Sequence, residues 1–183
     1  MTAPYVPLCA CELGVASGPL AESWAGEIAD ATSPRWMLGS FRFVEPELDS
    51  ILRDIYASTQ TIAVVGATPN RDKPGCFIPE YLQSQGYDIV PVTPSHHEVF
   101  GRRAYSTLSE VDVPVDVVEV FRPASEAPRI VREAITLGAK VVWLQPGIVS
   151  DEAAALGRQA GLTVIMDRCM GATHRELGLG PGP

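Results

Sequence analysis

The sequence has no apolar run long enough to cross a membrane, and its amino terminus lacks the basic segment and apolar core of a signal peptide. Basic residues are also scarce, because 14 lysines and arginines face 22 acidic residues and leave a net charge of −8. Such a surface repels nucleic-acid phosphates, so any bound anion must be held by local cations. We therefore expect a cytoplasmic protein that binds neither nucleic acid nor a membrane.

The four cysteines lack the spacing of a disulfide framework or of a zinc site. Cys9 and Cys11 are separated by one residue, while Cys76 and Cys169 lie far from each other and from that pair. No second nearby pair of cysteines or histidines completes a set of metal ligands. This spacing predicts reduced thiols and no metal site.

The two ends of the sequence differ from its middle. The first 40 residues show no sustained helical or strand period, and residues 178–183 are mostly glycine and proline. We expect residues 1–40 to be a poorly ordered extension, residues 41–177 to form one domain, and residues 178–183 to be a flexible tail. The length suits one domain of ordinary size.

Strands and helices alternate strictly through the middle of the sequence. An amphipathic helix follows Glu45, and each later apolar run gives way to a helix-like segment. After that first helix we predict strand 61–66, helix 75–85, strand 88–93, a short segment 99–105, strand 115–121, helix 124–137, strand 140–145, helix 150–160 and strand 163–166. This order predicts an α/β fold, Rossmann-like and doubly wound, with a mainly parallel sheet and helices on both faces.

The stretch from Thr61 to Asn70 indicates a bound phosphate. Its apolar run ends at Gly66, and a polar turn then leads into the next helix, whose free N–H groups and dipole favour an anion. In a doubly wound sheet the ligand binds at the carboxyl ends of the strands. The loops at those ends follow Val65, Val92, Val120 and Leu144.

The common nucleotide fingerprints are absent from this stretch. A dinucleotide site would need glycines where Thr68 and Arg71 stand, and an acidic residue near Thr93 and Pro94 at the end of the second strand. A P-loop is excluded because no Gly-Lys-Ser or Gly-Lys-Thr follows the strand. An NAD or nucleotide-sugar binding protein is therefore the weaker alternative.

Several separate motifs, spread from about Leu48 to about Leu177, carry a resemblance to a known family. They are Ala63–Gly66, Pro69–Pro74, Tyr81–Leu82, Gly86–Tyr87, Val90–Pro94, Asp116–Arg122, Gly138–Gly147 and Val164–Cys169. In this combination the sequence resembles the small stand-alone coenzyme A-binding proteins, which are similar to the CoA-binding domain of succinyl-CoA synthetase α subunits.

The resemblance implies a site for coenzyme A or an acyl-CoA, formed by three loops. The first loop would wrap the phosphates, the turn after the second strand would line the adenosine, and the loop after Val120 would border the nucleotide and the pantetheine arm. The implied contact residues are Gly66, Ala67, Thr68, Pro69, Asn70, Arg71, Lys73, Thr93, Pro94, Phe121 and Arg122. Lys73 is one of only two lysines in the chain, and such local cations suit phosphates.

No catalytic constellation accompanies this site. The three histidines, His96, His97 and His174, pair with no serine or cysteine motif. The resemblance covers a binding domain without the phosphorylated histidine that a synthetase uses. We therefore expect a CoA-binding module without complete catalytic machinery of its own. The alternative is a CoA-binding component of a multi-chain acyl-CoA synthetase, and a homo-oligomer or a protein partner remains open.

Cys169 raises one further hypothesis about the ligand's thiol. It follows the last predicted strand beside Arg168, whose charge could lower the pKa of a neighbouring thiol, although a buried and inert thiol is the alternative. The hypothesis predicts that CoA disulfide exchanges with Cys169 to give a protein–CoA disulfide and free CoA. Mass measurement with and without reductant tests this, and the absence of a reducible adduct on Cys169 would refute it.

Overall fold

The computed structural model describes residues 45–182. The predicted 1–40 extension lies wholly outside these residues. In chain order the helices and strands are α1 Glu45–Ser58, β1 Thr61–Val65, α2 Pro74–Ser84, β2 Asp88–Val92, β3 Glu98–Val99, β4 Arg102–Arg103, β5 Val117–Val120, α3 Ala127–Leu137, β6 Val141–Leu144, α4 Asp151–Ala160, β7 Thr163–Ile165 and α5 Met170–Glu176. Two short 3₁₀ turns, Leu108–Glu110 and Ala124–Glu126, complete the list.

Five parallel strands form the central sheet in the order β2-β1-β5-β6-β7, and β3 and β4 form a small antiparallel hairpin. The predicted Rossmann-like, doubly wound α/β fold is confirmed. β1, β2, β5 and β6 are mostly apolar because helices cover both faces of the sheet. Within the described residues, no helix is both long and apolar enough to cross a bilayer.

Each face of the sheet packs into its own apolar cluster. On one face Val118 and Val120 meet α3 and α4, through buried side chains such as Ile130 and Ala153. On the other face Val117 and Trp143 meet α1, α2 and α5. Successive residues of a strand point to opposite faces, so these mostly apolar strands supply side chains to both clusters.

Pro91 lies inside the edge strand β2 without disturbing the sheet. Its carbonyl accepts a hydrogen bond from the N–H of Tyr105, on the side of β2 away from β1. The N–H and C=O of one strand residue point the same way, so the N–H that proline lacks would also have pointed outward. Tyr105 in turn extends the sheet edge, since its carbonyl accepts from Thr93 N at 2.8 Å.

Gly182, close to the end of the described residues, contacts the domain beside β2. The N–H of Gly182 donates to the carbonyl of Gln85, and Gly182 lies against the ring of Tyr87, where an added Cβ would come within 2.9 Å of the ring. The prediction that residues 178–183 are flexible concerns motion and stays a prediction.

Candidate ligand-binding site

The direction of winding places a crevice between the carboxyl ends of β1 and β5. From β1 the chain crosses to β2 on one side, and it then returns to place β5 on the other side of β1. Ligands of doubly wound sheets bind at such a reversal. The loops that begin at Gly66 and Phe121 flank it, and the turn at Thr93 follows the adjacent strand β2.

Gly66 brings the predicted loops into contact. Its φ of 98° lies in the left-handed region that favours glycine, and its N–H donates to Val92 O at 3.0 Å. A Cβ built on Gly66 would lie 3.2 Å from Cδ of Arg122 and 3.3 Å from Cβ of Phe121. The missing side chain thus lets Arg122 cross directly over the first loop.

Three backbone N–H groups of the first loop are used inside the loop itself. Asn70 N donates to Thr68 Oγ1 at 3.3 Å, Asp72 N to Asn70 Oδ1 at 3.0 Å, and Lys73 N to Asn70 O at 3.0 Å. Pro69, which has no N–H, is exposed at the tip of this turn. These bonds fix the loop without a ligand.

Three N–H groups in and beside the loop donate to no atom of residues 45–182. They belong to Ala67, Arg71 and Gly75. Backbone donors at the start of a helix bind anions well, because the helix dipole adds to their partial positive charge. The loop can therefore offer a phosphate both these donors and the N-terminus of α2.

Arg71 and Lys73 add full positive charge at the same place. Both are exposed, Lys73 stands at the N-cap position of α2, and neither forms an ion pair within the described part of the chain. Two cations that no carboxylate neutralises suit a ligand with several phosphates.

The loop is tied to α2 through a carbonyl that Pro79 leaves unused. α2 begins at Pro74, so Pro79 lies in its interior. Residue 79 of a regular helix would donate to the carbonyl of Gly75, and proline has no N–H to donate. Instead the N–H of Thr68 donates to Gly75 O at 3.3 Å, joining the loop to the helix.

Gly75 belongs to this arrangement and was not predicted as a site residue. A Cβ added there would lie 2.7 Å from the carbonyl oxygen of Gly66 and 3.6 Å from side-chain atoms of Thr68 and Phe121. Only glycine fits so close to backbone. The signal in the sequence was a second glycine nine positions after Gly66, outside the dinucleotide spacing.

A Pro79→Ala variant is expected to loosen the loop. The restored N–H at position 79 would compete with Thr68 for the carbonyl of Gly75. The amide of Thr68 should then exchange with solvent about fivefold faster, the equivalent of one net hydrogen bond. Hydrogen exchange followed by NMR measures this. Pro146→Ala, in the exposed loop after β6, is the control, and an unchanged Thr68 amide in the Pro79→Ala variant would contradict the expectation.

The turn after β2 places Thr93 and Pro94 next to the first loop. Thr93 is buried and its Oγ1 accepts from Ser95 N at 3.4 Å, whereas Pro94 is exposed. His96 and His97 follow in the same exposed segment. Thr93 therefore shapes the turn, while Pro94 presents a flat apolar surface beside the crevice.

Arg122 is the one predicted cation that is already paired. Its Nη2 and Nε lie 2.8 and 3.1 Å from Oε1 of Glu126, in the 3₁₀ turn before α3. Arg129 Nη2 lies 3.2 Å from the other carboxyl oxygen of Glu126. The pair with Arg122, followed by that with Arg129, holds the pKa of Glu126 below its usual value.

A buried carboxyl group that was not predicted as a site residue lies in β5, the strand whose carboxyl end borders the crevice. Glu119 is fully buried, and Gln145 Nε2 donates to its Oε1 at 2.6 Å. Its Oε2 has no hydrogen-bond partner among the described residues. Burial raises the pKa of Glu119 to about 8. In the sequence, the signal for this group was an acidic residue inside an otherwise apolar run.

Cys169 lies at the start of α5, at the carboxyl end of the sheet. Its Sγ accepts a hydrogen bond from Ala172 N at 3.4 Å, and the residue is half-buried against the cluster of α1, α2 and α5. The proposed exchange of Cys169 with CoA disulfide stays a prediction.

The fold and these loops together define a Rossmann-like α/β domain with a crevice at its reversal point, beside which lie two cations without an ion pair among the described residues. Residues 60–175, well over half of the chain, match the family described as CoA binding domain. The chain therefore belongs to the CoA-binding domain family, as the resemblance of its motifs implied.

Individual relatives support the same assignment. The chain is 37% identical over 123 residues to the uncharacterized protein YneT of Bacillus subtilis strain 168, covering 67% of this chain and 91% of YneT. A solved structure from Thermus thermophilus, cell-free ID.343, is 37% identical with a TM-score of 0.68, covering 70% of this chain and 98% of the other.

A more distant relative is a complete enzyme. The acetate–CoA ligase [ADP-forming] I of Archaeoglobus fulgidus is 22% identical over 130 residues, which are 66% of this chain but only 19% of the ligase. The predicted resemblance to succinyl-CoA synthetase is thus supported only at the broader level of a similarity to CoA ligases.

Proposed function

We propose that this protein binds coenzyme A, free or acylated, through the loops at the carboxyl ends of β1, β2 and β5. The observation that carries the proposal is the contact of Gly66 with Phe121 and Arg122, beside two unpaired cations, in a member of the CoA-binding domain family. An acidic protein can hold a polyanion only where such cations are local.

Each predicted residue takes a part in this proposal. Gly66, Ala67 and Thr68 allow backbone approach to the pyrophosphate, and Pro69 and Asn70 hold the turn. Arg71 and Lys73 neutralise phosphate charge. Thr93 and Pro94 line the adenosine, while Phe121 and Arg122 border the nucleotide and the start of the pantetheine arm.

Binding of CoA is tested by isothermal titration of the whole chain with CoA and, separately, with NAD. We expect saturable binding of CoA and none of NAD, because the crevice lacks an acidic residue after β2 to hold ribose hydroxyls. Tight binding of NAD without binding of CoA would overturn the proposal. Titration with acetyl-CoA then ranks the free and acylated forms.

The second candidate function is that of a CoA-binding component in a multi-chain acyl-CoA synthetase. The relationship to acetate–CoA ligases favours it, since this chain matches only about a fifth of the A. fulgidus enzyme. In this case a partner chain supplies the catalytic groups. Purification of the tagged protein from its native host distinguishes the two, because a module that works alone would bring down no ligase subunit.

A further inference from the structure

Glu126 neutralises the one site cation that is not free to meet a phosphate. The stem of Arg122 crosses Gly66, which puts its guanidinium at the crevice, and its Nε and Nη2 both donate to Oε1 of Glu126. A ligand phosphate at the first loop would compete with that carboxylate for the same donors.

Arg129 gives Glu126 a second partner. Its Nη2 lies 3.2 Å from Oε2 of Glu126, and its Nη1 is bonded to Glu133 one turn further along α3. If Arg122 turned away, Glu126 would keep an ion pair with Arg129 and would not be left unpaired. The two oxygens of Glu126 thus serve two different arginines.

We propose that Glu126 holds Arg122 in the ligand-free protein and releases it to a phosphate of the bound ligand, while Arg129 keeps the carboxylate paired. The inference rests on the proposed binding of CoA at this crevice. Glu126 is then a positioning residue that aims Arg122 and sets how much affinity that cation contributes. Glu126 lowers the affinity for the ligand only to a limited extent, because its ion pairs with Arg122 and Arg129 are half-exposed.

The ion pair between Arg132 and Glu152 provides matched controls. It is exposed, joins α3 to α4, and has no contact with Arg122 or Glu126. Glu152→Gln therefore changes the net charge as Glu126→Gln does, and Arg132→Gln matches Arg129→Gln. Thermal melts of all variants show whether each remains folded.

The test compares dissociation constants for CoA, measured by titration at one fixed, low ionic strength. Glu126→Gln should bind CoA about two- to fivefold more tightly than Glu152→Gln, the range for a half-exposed ion pair. The Arg129→Gln variant should bind CoA more weakly than Arg132→Gln. Without Arg129, Glu126 pairs with Arg122 alone and releases it to the phosphate less readily. The gain from Glu126→Gln should disappear in an Arg122→Gln background.

Distinct results overturn distinct claims. If the wild type binds CoA but Glu126→Gln binds no more tightly than Glu152→Gln, the release of Arg122 by Glu126 is wrong and the binding site stands. A gain that persists in the Arg122→Gln background also overturns it, since the effect would be general electrostatics. If the wild type does not bind CoA, the proposed function itself fails.

Discussion

A Glu119→Gln variant is expected to be more stable than the wild type, by a margin that grows as the pH rises from about 5 to about 8. Glu119 is fully buried, and its only hydrogen bond within the described residues comes from Gln145. Burial raises its pKa from 4.5 to about 8. The folded protein therefore holds a proton that the unfolded chain has already released.

The sign follows from proton linkage. Between the two pKa values the folded state binds one more proton than the unfolded state, so the free energy of unfolding falls as the pH rises. The contribution of Glu119 to the free energy of unfolding is fully present below its pKa in the unfolded chain. It is lost as the pH rises through its pKa in the folded protein, near 8. The limiting slope is about a tenfold increase in the unfolding constant per pH unit.

Comparison of the two proteins isolates this group. Burial lowers the pKa of His174, which works in the opposite direction near neutral pH, but it does so in both proteins and cancels in the difference. Denaturant unfolding at several pH values measures the margin. Glu152→Gln, at an exposed position, is the control and should follow the wild type. A constant margin across this pH range would show that Glu119 is already ionised in the folded state.

The sequence predicted the sheet well because its signals are local. A strand buried on both faces must be a short apolar run, and β1, β2, β5 and β6 each lie within one of the predicted strands. Glycines that end α3 and α4 have positive φ, at Gly138 and Gly161. The predicted strand 115–121 is two residues too long at its start and one at its end, because the apolar residues Val115 and Phe121 lie in the flanking loops.

α5 was not predicted, because its stability comes from contacts that the local sequence does not show. It has only seven residues, Met170–Glu176, and follows the last strand after a short turn. Gly171 lets it lie against Ile78 and Tyr81 of α2, and the hydroxyl of Tyr56 donates to the carbonyl of Met170 at 2.6 Å. A helix this short depends on tertiary packing.

The candidate site was predictable where its residues lie at strand ends, and less so where they meet across loops. The order of the parallel strands dictates that Gly66, Thr93 and Phe121 gather at the carboxyl end of the sheet. That Arg122 crosses Gly66 depends on a distance between loops far apart in sequence, and the contact of Gly75 with the Gly66 carbonyl depends on how the first loop folds back onto α2. The pairing of Arg122 with Glu126 likewise needed the structure, although an acid four residues after an arginine permits it.

The Arg71→Ala/Lys73→Ala double variant is expected to lose CoA affinity by at least about a hundredfold. Hydrogen bonds to charged groups contribute about 1.5–3 kcal/mol each, so the two cations together account for two or more powers of ten. Both side chains are exposed and form no ion pair within residues 45–182, so their removal should leave the melting temperature nearly unchanged.

A double control separates local contact from net charge. The Lys140→Ala/Arg158→Ala variant also removes two positive charges. However, Lys140 pairs with Asp116 at the amino ends of the strands, opposite the crevice, and Arg158 lies near the end of α4. This control should bind CoA within about twofold of the wild type, because exposed charges beyond a Debye length are largely screened. Equal losses in both double variants would mean that CoA responds only to overall charge. Unchanged affinity in the Arg71→Ala/Lys73→Ala variant would place the phosphates away from the Gly66 loop.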